Sequence, residues 1–109
     1  VEVKRGTIVT VAIQGDFGKG RPALVVQSDL FANHASVTVL LMSSDLVDAP
    51  ILRINVEPSL QNGLNLNSQI QIDKMFTVRT EKTGNVIGEL EDNTMISVNR
   101  AMLVFLGLA

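Results

Sequence analysis

What most constrains this chain is the shape of its apolar runs. They are short and β-branched, and glycine, proline, asparagine or aspartate breaks each one before a helix could form. Thr7 to Ile13 (TIVTVAI), Ala23 to Gln27 (ALVVQ) and Val37 to Met42 (VTVLLM) read as buried strands, with Pro22 suited to the first position of the second. Ile51 to Val56 (ILRINV) alternates instead, with Arg53 and Asn55 on one solvated face. Ser68 to Asp73 (SQIQID) also alternates: Ile70 and Ile72 point inward, and Gln71 and Asp73 share the other face. Met75 to Arg79 continues that strand past a kink, and a short strand follows around Val86-Ile87.

Turns are expected at Glu57-Pro58-Ser59, Asn62-Gly63 and Thr83-Gly84-Asn85, with a single helical turn after Ser28. Only the end changes period. Met95, Val98, Met102 and Phe105 fall on one face of a helix with Asp92 as N-cap and Gly107 as terminator. Ile96, Leu103, Val104 and Leu106 widen that face, so the helix is either enclosed by the fold or shared with a second copy. The expected architecture is one β-rich α+β domain over residues 1–109: a strongly bent antiparallel sheet or small barrel closed by a C-terminal helix.

Composition narrows the function. The absence of cysteine excludes a disulfide framework and thiolate metal sites, and a lone histidine, His34, does not make a zinc centre. No metal or cofactor is expected. A net charge of −2 excludes bulk attraction to nucleic acid, so any RNA must meet a local basic groove. Lys4, Arg5, Lys19 and Arg21 cluster near the start, against Glu2 and Asp16. The chain starts without an initiator Met or the apolar middle of a signal peptide, and it has no apolar run of membrane-spanning length. A cytoplasmic location is expected. No G-x-S-x-G, H-E-x-x-H or P-loop pattern occurs.

Three segments then carry a resemblance. Lys4-Arg5-Gly6 precedes the first strand, Gly20-Arg21-Pro22-Ala23-Leu24-Val25-Val26-Gln27 follows a glycine-rich loop, and Val39-Leu40-Leu41-Met42-Ser43-Ser44 ends the third strand. Together they resemble the MazF/PemK toxin family, and the similarity continues through Ile72 to Val78, Ile87-Gly88-Glu89-Leu90 and the final helix. The resemblance implies a homodimeric SH3-like β-barrel of the CcdB/MazF/PemK kind. It also implies a bacterial mRNA interferase of a type II toxin–antitoxin module. Such an enzyme cleaves single-stranded RNA without metal, by attack of a ribose 2′-hydroxyl on the adjacent phosphate. The expected partners are mRNA, a second copy, and a small MazE/PemI-like antitoxin whose disordered acidic arm covers the basic groove; no membrane is involved.

The resemblance also distributes roles. Arg21, from the R-P pair, is the expected stabiliser of phosphate charge, because a planar guanidinium fork matches phosphate. Ser43 stands where Thr is commoner and keeps the hydroxyl. Asp73 takes the acidic position of the PemK/Kid branch and is the expected general base on the 2′-hydroxyl. Lys19, Gln71 and Lys74 are the expected RNA contacts, with Gln71 replacing an Arg of that branch and Phe76 replacing a residue that is basic in many relatives. The glycine-rich loop over 15–20 is the expected active-site lid. Two other readings share the barrel: a CcdB-like DNA gyrase poison, which in its relatives uses a Trp this chain lacks, and a catalytically degenerate homologue that only binds an antitoxin.

Overall fold

A computed structural model describes residues 3–13 and 20–109. Of the expected lid over 15–20, all but Gly20, Lys19 included, lies outside the described residues; Gly20 opens β2. Among those described, six strands form one antiparallel sheet: β1 (Thr7–Ala12), β2 (Gly20–Val25), β3 (Ser36–Ser43), β4 (Arg53–Val56), β5 (Ser68–Arg79) and β6 (Thr83–Glu89), followed by one helix, α1 (Asp92–Phe105). The strand order is β4-β5-β3-β2-β1-β6. This is the bent antiparallel sheet with a C-terminal helix that the apolar runs require. Its edges, β4 and β6, are not joined by a ladder. The 57–66 connection bridges them instead, with Glu89 N–H donating to the Gln61 carbonyl.

The apolar runs are buried on both faces, as expected for β1 to β3. Ile8, Leu24, Leu40, Met42, Ile70 and Ile72 pack on one face with Val98 of α1; Val9, Val11, Ala23, Val25, Val37 and Val39 pack on the other. Bending is concentrated in β5. Leu40 pairs with Met75 but Met42 pairs with Ile70, so residues 71–74 bulge out of the β3 ladder. That bulge is the kink expected after Asp73, and it locally increases strand twist.

Several boundaries differ from the sequence expectation: β2 runs Gly20–Val25 rather than Ala23 to Gln27, so Pro22 is its third residue, and β4 starts at Arg53 rather than Ile51. The turn before β6 is made by Thr80–Lys82, and Thr83-Gly84-Asn85 belongs to the strand. Gly84 is small because β6 presses on β1: a β-carbon there would collide with the Thr10 hydroxyl, which accepts the Asn85 N–H at 3.0 Å. Glycine therefore marks a close approach, not a turn. At α1 the N-cap is Glu91 rather than Asp92, and Glu91 makes no side-chain capping bond. Its carboxylate bonds to Ser59 and Asn62 of the 57–66 connection instead. Asp92 occupies the first helical turn, where it favours the helix dipole. The helix closes at Gly107: Leu108 N–H reaches the Leu103 carbonyl and Gly107 N–H that of Val104, a paired arrangement that satisfies the last carbonyls. Its inner face is Met95, Val98 and Met102; Phe105, expected on that face, is exposed at the last residue of the helix, as are Ile96, Leu103, Val104 and Leu106. No helix among the described residues is long and apolar enough to cross a membrane.

Candidate functional site

The sheet register explains where the chemistry collects. Ala23 pairs with Leu41, Leu24 with Leu40 and Val25 with Val39. Carried two residues further, that register sets Arg21 level with Ser43 on the same face, at the end of β2 and β3. Both residues line a cleft of about 580 Å³, together with Pro22, Met42, Ser44 and Asp45. The opposite side is formed by Gly63, Leu64, Asn65, Leu66, Ser68 and Ile87.

Ser43 is oriented. Its Oγ accepts the Asp45 N–H at 3.0 Å in a short Ser turn at the strand end. Since the oxygen already accepts a bond, the hydroxyl proton is left to donate to a ligand. Asp45 itself is exposed and lines the same cleft, two residues beyond Ser43. Nothing in its local sequence singles it out; only the Ser turn draws it to the site.

The far wall depends on side chains. Asn62 is fully buried, and its Oδ1 accepts the N–H groups of Ser59 and Leu64, both at 3.0 Å. Its Nδ2 donates to the Glu57 carbonyl at 2.8 Å and to Glu91 Oε1 at 3.1 Å. The second Glu91 oxygen receives the Ser59 hydroxyl at 2.6 Å. These bonds favour the ionised carboxylate, and the Ser59 hydroxyl leads in holding Glu91 below its ordinary pKa against the opposing effect of burial. Asn62 and Glu91 thus tie the loop wall to the start of α1. The Asn62-Gly63 pair was legible as a turn; its anchorage to Glu91 was not.

The other expected site residues are placed differently. Gln71, Asp73 and Lys74 lie in the β5 bulge and are not in the cleft lining. Asp73 and Lys74 are exposed. Gln71, expected as an RNA contact on the face away from Ile70 and Ile72, is only 6% exposed. Phe76 is half-buried and packs against the second core, so an apolar residue at that position has a structural use. Arg5 also serves the fold: its Nε donates to the Val26 carbonyl at 2.9 Å and its Nη2 to Asn99 Oδ1 at 2.6 Å. Among the described residues, no three His, Cys, Asp or Glu side chains stand together as a metal-binding group.

Comparison with known proteins agrees over nearly the whole length. The family model described as PemK-like, MazF-like toxin of type II toxin-antitoxin system matches residues 4–106. A protein of Mycolicibacterium smegmatis named probable endoribonuclease MazF is 43% identical over 108 residues, covering 98% of this chain and 99% of that protein. Among solved structures, an endoribonuclease in complex with its cognate antitoxin from a mycobacterial species superposes with a TM-score of 0.82 at 23% identity, covering 98% of this chain and 97% of the other. MazE-MazF from Deinococcus radiodurans gives a TM-score of 0.79 at 14% identity, with both chains fully covered. At those identities the likeness is one of fold.

Proposed function

The chain belongs to the PemK-like, MazF-like toxin family of type II toxin–antitoxin systems, and from that premise we propose that it is an endoribonuclease toxin cutting single-stranded RNA without a metal ion. One observation carries the reading: Arg21 and Ser43 line the same cleft, and the Ser43 proton is free to donate.

In the reaction, the ribose 2′-oxygen forms a bond to the adjacent phosphorus while the P–O5′ bond breaks. The departing 5′-oxygen takes a proton from solvent water, and the products are a 2′,3′-cyclic phosphate and a 5′-hydroxyl end. Negative charge grows on the non-bridging oxygens as the fifth bond forms. The Arg21 guanidinium meets that charge, and the Ser43 hydroxyl donates to one oxygen and fixes the phosphate beside it. Their charge and hydrogen bonds do the work that a Lewis acid does in metal-dependent nucleases.

A carboxylate takes the 2′-proton. Two qualify: Asp73, from the resemblance, and Asp45, which lines the cleft beside Ser43. Asp73→Asn and Asp45→Asn separate them, the base being the one whose loss removes the acid limb of the rate profile. Residues 1–109 act as one domain. The exposed apolar side of α1, including Leu103, Val104 and Leu106, supports pairing with a second copy, and the cleft supports occlusion by an acidic antitoxin arm. An mRNA substrate places the protein in the cytoplasm.

The test is primer-extension mapping of cut sites in a defined RNA. Arg21→Ala is expected to lower cleavage about a thousandfold while its circular dichroism spectrum stays that of the wild type, and EDTA is expected to change nothing. Undiminished cutting by folded Arg21→Ala, or chelator inhibition reversed by added metal, would refute the mechanism.

A further inference from the structure

A second cation sits on the same sheet face as Ser43 and has no part in the reaction above. Arg53 opens β4 and is half-buried. Its Nη1 donates to Gln69 Oε1 at 3.0 Å and to the Asp45 carbonyl at 3.3 Å. Gln69 is itself locked: Oε1 also accepts the Val47 N–H, and Nε2 donates to the Val47 carbonyl and to Asn55 Oδ1. The guanidinium is therefore aimed by neutral acceptors at one nitrogen only. Among the described residues no carboxylate pairs with it, and its Nε and Nη2 hydrogens have no protein acceptor.

Its cross-strand partner in the β4–β5 register is Gln71. That amide is 94% buried, at 6% exposure, and makes no side-chain hydrogen bond among the described residues. A buried amide without partners and a positioned cation without a counter-charge are each unfavourable alone. Side by side, they are donors waiting for one acceptor.

Asp45 connects this pair to the cleft. Its N–H holds the Ser43 Oγ, and its carbonyl holds Arg53. The Ser43–Gln69 and Arg53–Gln71 pairings place all four residues on one face of the sheet. We infer that Arg53, with the Gln71 amide beside it, forms a second phosphate subsite that binds a phosphate flanking the scissile one, so that the RNA strand runs from the cleft across β5 to β4. The inference rests on the RNA reading for its ligand class. A planar fork with Nε and Nη2 free grips phosphate oxygens in bidentate fashion, which an ammonium does not.

The experiment measures binding rather than cutting. Fluorescence anisotropy follows a random-sequence pool of short oligodeoxynucleotides, which carry the phosphates but no 2′-hydroxyl, over a range of salt concentrations. For single strands, the slope of log affinity against log salt flattens by about 0.7 for each phosphate that the protein ceases to neutralise. Arg53→Gln keeps a donor for the Asp45 carbonyl and removes the charge; it is expected to flatten the slope by that amount and weaken low-salt binding about tenfold. Arg53→Lys is expected to keep the slope while binding more weakly than wild type. A wild-type slope in Arg53→Gln overturns the subsite, and so does a wild-type protein that binds no oligonucleotide. If the protein binds the pool with the expected Arg53 dependence yet cuts no RNA, the subsite stands and the nuclease reading falls. If it cuts RNA with no Arg53 dependence in binding, the reverse holds.

Discussion

The two walls of the cleft are built by different means. The wall holding Arg21 and Ser43 is strand: its backbone is fixed by the β1–β2 ladder at Arg21 and the β3–β5 ladder at Ser43, and both side chains line the cleft. The opposite wall, Gly63 to Leu66, has no ladder of its own and is shaped by Asn62, Ser59 and Glu91 through side-chain hydrogen bonds. In the first wall the strand backbone is satisfied by its ladders, and the Ser43 hydroxyl, which accepts one N–H, keeps its proton for a ligand. In the second, polar side chains are consumed in satisfying backbone. Substitutions in the two walls should therefore fail in different ways.

The largest effect on folding is expected from Asn62→Ala. It strips partners from the buried Leu64 N–H, the half-buried Ser59 N–H, the Glu57 carbonyl and Glu91 at once, and should cost about 3 kcal/mol of stability in urea unfolding, with loss of cleavage only in proportion to unfolding. Ser43→Ala is the converse. It should leave the urea midpoint almost unchanged and lower the single-turnover cleavage rate about a hundredfold. If Ser43→Ala instead unfolds the protein while Asn62→Ala only slows it, the division between the walls is wrong.

A smaller effect comes from Glu91, whose folded pKa is lowered. The stability it contributes is fully present above the unfolded Glu pKa of about 4.3 and is lost as pH falls through the lower folded value. Glu91→Gln should therefore lower the melting temperature most at neutral pH, and the gap to wild type should close as the solution is acidified below about pH 4. A gap that widened in acid would contradict the assigned bonds.

Much of the strand wall was legible in the sequence. Short β-branched runs fix strands whatever surrounds them, and the spacing of Met95, Val98 and Met102 set the inner face of α1, although Phe105, one step further in the same spacing, is exposed. The kink after Asp73 was legible too, since alternation fails at Lys74-Met75-Phe76. Gly84 was misleading: a glycine that lets two strands touch looks the same in sequence as one that turns the chain. Asp92 misled for a related reason. Local capping rules favour it, but Glu91, one residue earlier, takes the N-cap position while its carboxylate bonds to residues some thirty positions away.

The sequence by itself determined the strands, the single helix and the family to which the chain belongs, because these follow from local periodicity and from ordered motifs. Only the tertiary structure decided which polar residues meet. Arg21 and Ser43 converge through the β2–β3 register, Arg53 reaches the Asp45 carbonyl beside Gln69, and Asn62 finds Glu91 across the bridge between sheet edges. Those meetings depend on long-range pairing, in which a shift of one residue turns every side chain to the other face, and no local pattern encodes that choice.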